Sequence, residues 1–158
     1  MRALALRLGG NQEAWNSVRG STFTFDNSGP TVTIGNPGGT LKIYNSFLTI
    51  SGTAVDVSTS VKSVFMKVRR ADDGQYLSDS AGAGAATSWG ASVSTIPVTS
   101  LGGLPAWTYT LDSNSQWSVL LSTGKFDVYA WALDNPGSTS TVTGPQSFMF
   151  DISLPSAA

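Results

Sequence analysis

Between Gly124 and Asp134 the chain reads GKFDVYAWALD, and its side chains sort strictly two by two. On an extended backbone Phe126, Val128, Ala130 and Ala132 share one face, while Asp127, Tyr129, Trp131 and Leu133 share the other. A helix of the same residues would scatter both sets around its circumference, so the segment predicts a strand. A lone strand cannot bury its apolar face in water, and the rest of the chain must supply at least one opposing sheet.

Other stretches repeat the period. Thr31 to Ile34 reads as a short strand, followed by a turn at Asn36, Pro37, Gly38 and Gly39 and a brief extended piece at Lys42 to Tyr44. Phe47 to Val55 places Leu48, Ile50 and Ala54 together, with Gly52 allowing another backbone to come close. Val61 to Arg70 turns Val64, Met66 and Val68 inward, and Ala71 to Gln75 forms a hairpin-like turn before Tyr76 and Leu77. Residues 78–106 are small and polar around Trp89 and Pro97; a loop of that length in a compact domain predicts one or two short edge strands inside it. Trp107, Tyr109 and Leu111 open a further strand, Trp117, Val119 and Leu121 another, and Gln146 to Phe150 the last. No segment carries a helical period, so the expected fold is all-β, seven to nine antiparallel strands in two packed sheets.

Two segments occur twice in the same order. STFTFDNSGP at Ser21 to Pro30 matches QSFMFDISLP at Gln146 to Pro155, with positions 23, 25, 26 and 30 each 125 residues before 148, 150, 151 and 155. ALALRLGGN at Ala3 to Asn11 matches AWALDNPGS at Ala130 to Ser138 at an offset of 127, and the connecting loop can absorb the difference. A tandem module cut within one copy explains both. Residues 1–26 then hold the last two strands of a preceding module, and 27–155 one complete module. Leu4, Leu6, Phe23 and Phe25 are apolar enough that the remnant should pack on the complete module or exchange strands between chains.

Composition narrows the chemistry. Charged residues make up 12% of the chain and the net charge is −1, so no broad field exists to attract nucleic acid or an anionic membrane surface. Cysteine and histidine are both absent, which excludes disulfides, thiol and imidazole catalysis and the common zinc sites. No apolar run approaches the roughly 20 residues of a membrane-spanning helix, and MRALALRL is too short for a secretion signal. No two acids are spaced convincingly for paired-carboxylate catalysis, and no enzymatic activity is expected.

FDNSGPTVTI, LTISGTAVD, VKSVFMKV, WTYTL and GKFDVYAWALDNPGSTS together resemble the bacterial immunoglobulin-like repeats of large surface, adhesion and secreted multidomain proteins. Gly124, Phe126, Val128, Ala130, Ala132, Asp134 and Gly137 fill the closing pattern of such repeats, with Ser138 where Asn is more common; in the remnant Arg7 stands in place of the Asp. The resemblance implies an immunoglobulin-like β-sandwich acting as a noncatalytic spacer or adhesion-associated module outside the cell. Its partners would be adjacent immunoglobulin-like modules, with a glycan or surface protein as ligand, and no nucleic acid or membrane insertion. A carbohydrate-binding accessory module of a secreted enzyme and a decoration domain of a phage tail or other assembly are the alternatives.

Two residue sets are candidates for a site. The indoles of Trp89, Trp107, Trp117 and Trp131 could stack on sugar or peptide, although packing within strands accounts for Trp107 and Trp117 without a ligand. Asp26, Asp134 and Asp151, at the module junctions, could offer oxygens to a calcium ion, the only cofactor expected at all. The plainer reading is that each caps a turn by accepting backbone N–H bonds. Asp72 and Asp73 belong to a solvent-facing turn whose charge Arg69 and Arg70 balance.

Overall fold

The structure, a computed structural model, describes residues 25–45, 49–79, 88–100, 105–110 and 123–153. Strands alone make up its regular elements there: β1 (Thr31–Asn36), β2 (Lys42–Tyr44), β3 (Thr49–Val55), β4 (Val61–Arg70), β5 (Tyr76–Ser78), β6 (Ser88–Gly90), β7 (Ile96–Ser100), β8 (Ala106–Thr110), β9 (Gly124–Asp134) and β10 (Thr143–Phe150). The expected strands around Trp117 and in the remnant at residues 1–24, with Leu48, Leu111 and Pro155, lie outside the described residues.

The alternation in β9 decides the packing. Phe126, Val128, Ala130 and Ala132 have no exposed surface. β4 runs antiparallel beside β9 with Val64 opposite Ala132, Met66 opposite Ala130 and Val68 opposite Val128, so the buried sets of both strands share a face. β10 pairs on the other side, bringing Phe148 opposite Phe126, where the two rings stack at 5.3 Å. β1, β3 and β8 form the facing layer and contribute Val32, Ile34, Ile50, Ala54, Trp107 and Tyr109 to the same core. The fold is a β-sandwich built from the inward halves of these two layers.

Gly52 lies between Ile34 of β1 and Trp107 of β8. A side chain there would overlap the Thr33 carbonyl oxygen and come within 2.7 Å of the Trp107 ring. The absent Cβ is what lets both neighbours close on β3.

Three features depart from the expected pattern. The described residues alone hold ten strands, and β2 pairs with the end of β10 in parallel, Lys42 opposite Phe148 and Tyr44 opposite Phe150. Of the two short strands in the small, polar stretch, β6 lies on an edge, paired with β5, but β7 does not. Ile96 to Val98 pair with β4, and Thr99 and Ser100 pair with β8. β7 therefore passes from one layer to the other, with Pro97, which has no N–H to give, beside the crossing point. Phe25, at the start of the described residues, is 81% exposed on the single chain.

The outward face of β4 and β9 is paired off rather than bare. Phe65 stacks on Trp131 at 5.9 Å, the Lys67 ammonium sits 4.7 Å from the centre of the Tyr129 ring, and Asp127 lies between Arg69, at 3.8 Å, and the Ser147 hydroxyl, at 2.6 Å. Neighbours on the same sheet thus cover Tyr129 and Trp131, which, like Leu133, are half-buried.

Candidate metal centre

Strand register brings three acids together at one pole. Thr31 at the start of β1 pairs with Val55 at the end of β3, so the chain entering β1 runs beside the turn that leaves β3. Val61 at the start of β4 pairs with Asp134 at the end of β9, which sets the same turn against the last residue of β9. The turn is held there by Asn135, whose backbone N–H donates to the Ser60 carbonyl at 3.1 Å and whose side-chain amide donates to the Ser60 hydroxyl at 2.6 Å. Asp26, Asp56 and Asp134 each direct a carboxylate oxygen into this space, and the three oxygens lie within 4.8 Å of one another.

Local hydrogen bonds fix how each carboxylate is presented. Asp26 Oδ1 accepts from the Ser28 hydroxyl at 2.6 Å and the Ser28 N–H at 2.9 Å, and its Oδ2 accepts from the Thr59 hydroxyl at 3.0 Å. The Ser28 bonds, side chain first and backbone second, hold its carboxyl below the ordinary value, so Asp26 is an anion at neutral pH. Asp56 Oδ1 accepts from the N–H groups of Ser58 and Thr59, at 2.9 and 2.6 Å. Asp134 Oδ1 accepts from Gly137 N–H and Ser138 N–H, both at 2.6 Å. The second oxygens of Asp56 and Asp134 are buried and accept from no donor, and Asp134 as a whole has no exposed surface. An all-oxygen, anionic set of this kind suits a hard divalent cation rather than a soft or redox metal.

The turn-capping role expected of the junction acids is met as well. Asp151 repeats the geometry of Asp26, accepting from the N–H of Ser153 at 2.9 Å and from its hydroxyl. It does so at the other pole, beside Thr123 and the start of β9, far from Asp26 and Asp134. The third member of the cluster is Asp56, which sequence reasoning missed. Its signal was present: Asp26-Asn27-Ser28, Asp56-Val57-Ser58 and Asp151-Ile152-Ser153 are three D-x-S triplets, the last two directly after β3 and β10. Asp73 binds Arg70, as the charge balance of its turn suggested.

The described tryptophans do not gather. Trp107 is wholly buried, its Nε1 without a hydrogen-bond partner. Trp89 packs against Phe126 at 5.6 Å beneath the Arg70 guanidinium, which lies 5.0 Å above its ring. Trp131 turns its face to Phe65, and Trp117 lies outside the described residues. A cleft of about 380 Å³ opens beside the acid cluster, lined by Asp56, Thr59, Ser60, Val61 and, on its inner wall, Trp107. Compared with protein-family models, with curated proteins and with solved structures, the chain gives no match.

Proposed function

We propose that the chain is a noncatalytic, immunoglobulin-like module working in series with copies of itself, as a spacer or adhesion-associated domain of a repetitive exported protein. One observation carries this reading: the chain enters and leaves at opposite poles. Asp26 lies beside Asp134 at the end of β9, whereas Asp151 follows Phe150, which pairs with Gly124 at the start of β9. Eleven residues of strand separate those ends, about 33 Å at the usual rise.

Two further features support it. Asp26 and Asp151, equivalent by the 125-residue offset, make the same turn with the serine two residues on, so the junction before the module and the one after it share a local structure. The sheet neighbours β1-β3-β8 and β4-β9-β10 are compatible with the A-B-E and C-F-G strands of an immunoglobulin sandwich, with β2 as the part of the first strand that moves to the second sheet and β5, β6 and β7 additional to that set.

Small-angle X-ray scattering of one, two and three tandem copies of residues 27–151 tests the reading. The longest dimension should grow by about 40 Å per copy, one sandwich length plus a short junction. Growth of less than half that, from copies folding back on one another, would refute it.

A further inference from the structure

The acids at the entry pole differ from Asp73 and Asp127 in what faces them. Asp127 has Arg69 and Asp73 has Arg70, but among the described residues no Lys or Arg lies within ion-pairing distance of Asp26, Asp56 or Asp134. Hydrogen bonds do not make up the deficit. All the donors reaching Asp56 and Asp134 are spent on Oδ1, and each Oδ2 is buried with none. A fully buried carboxylate held against two others, with one oxygen desolvated and unmatched, is an arrangement that a positive charge would relieve.

We propose that Asp26, Asp56 and Asp134 form a calcium-type divalent-cation site that fastens the incoming segment to the β3–β4 turn and to the end of β9. Calcium binds oxygens at about 2.3–2.6 Å, so two ligands on opposite sides of the ion stand about 4.6–5.2 Å apart. The three oxygens, all within 4.8 Å of one another, fit inside that limit. Water entering through the cleft beside Asp56, Thr59 and Ser60 completes the coordination shell. The ion takes one ligand from ahead of β1, one from a turn and one from a strand end, so it restricts the approach of the chain to the sandwich. The site needs only this chain and stands whether or not modules follow one another in series.

The full 158-residue chain, stripped with a chelator, is titrated with calcium chloride by calorimetry and melted with and without it by circular dichroism. One ion should bind per chain. At roughly a hundredfold excess over Kd, the melting temperature should rise by roughly 5–10 °C. Asp56→Asn and Asp134→Asn should each weaken binding at least tenfold, and Asp151→Asn should leave it unchanged. Without metal, Asp134→Asn should melt no lower than the parent chain, because its amide oxygen still accepts from Gly137 and Ser138 while the repulsion falls; Asp26→Asn, in the partly exposed incoming segment, serves as the ligand variant if Asp134→Asn does not fold. No binding heat up to about 10 mM calcium, beyond the weak extracellular range, would overturn the proposal. So would binding that survives both Asp56→Asn and Asp26→Asn.

Discussion

Gly52→Ala is the most demanding test of the packing. The added methyl would meet the Trp107 ring at 2.7 and 2.8 Å, roughly 1 Å inside the ordinary carbon–carbon contact of about 3.5–4.0 Å, and would overlap the Thr33 carbonyl oxygen. Overpacking usually costs about 1–3 kcal/mol when a side chain can rotate away. Here one obstacle is backbone and the other a fully buried indole, and β3 is bonded on both sides, so relief requires β1 or β8 to separate from it. We expect a loss of about 3–5 kcal/mol, a large part of the roughly 5–15 kcal/mol that holds a domain of this size. Urea unfolding followed by tryptophan fluorescence should show the midpoint falling with little change in slope. Gly90→Ala is the control: its added methyl meets nothing within 4 Å, and it should stay within about 0.5 kcal/mol of the parent. Adding Trp107→Phe to Gly52→Ala should not restore stability, because the Thr33 carbonyl still blocks the methyl. A Gly52→Ala chain as stable as the parent would refute the close approach of β1 and β3.

Two further outcomes follow from the core. Phe126→Ala removes a ring packed against both Phe148 and Trp89 and should cost about 3–5 kcal/mol in the same unfolding assay, with quenching or a shift of the Trp89 emission. The Tyr109 hydroxyl donates to Asp79 at 2.8 Å, and burial, then that bond, push its pKa far above the ordinary 10.0. Its contribution is therefore complete below pH 10 and is lost as the pH rises beyond it, where only the unfolded chain ionises. Tyr109→Phe should cost about 1–3 kcal/mol at pH 7 and flatten the alkaline decline in melting temperature above pH 10.

The local period carried most of the fold. β9 begins at Gly124 and ends at Asp134 as its alternation indicates, because a strand buried on one face has a single register that hides Phe126, Val128, Ala130 and Ala132 together. Gly52 was legible for a related reason: a residue without a side chain inside an otherwise alternating run marks a place where another chain comes close. Pairings made at a distance were not legible. Nothing in Ile96 to Ser100 says that its two halves serve different sheets, and nothing in Trp131 names Phe65, far earlier in the chain, as its cover.

The candidate site was half legible for the same reason. Asp26 and Asp134 stood out as junction residues, but Asp56 joins them only because β1 pairs with β3 while β4 pairs with β9. Asp151 has the same sequence context as Asp26 and the opposite location. Context fixes the turn an aspartate caps, and register fixes which acids it meets.

The parallel pairing of β2 with β10 bears on how such a module would answer tension. A pull transmitted through both junctions drags β1, and β2 after it, toward one pole and β10 toward the other. Where Lys42, Ile43 and Tyr44 lie against Phe148, Met149 and Phe150, the strands must then slide lengthwise, straining every bond of the pair at once instead of parting one rung at a time. The Tyr44 ring, edge-on to Phe148, and its hydroxyl bond to Asn36 of β1 sit on that slip plane. A three-residue strand of little consequence to the resting fold would thereby become the clasp that sets the breaking force.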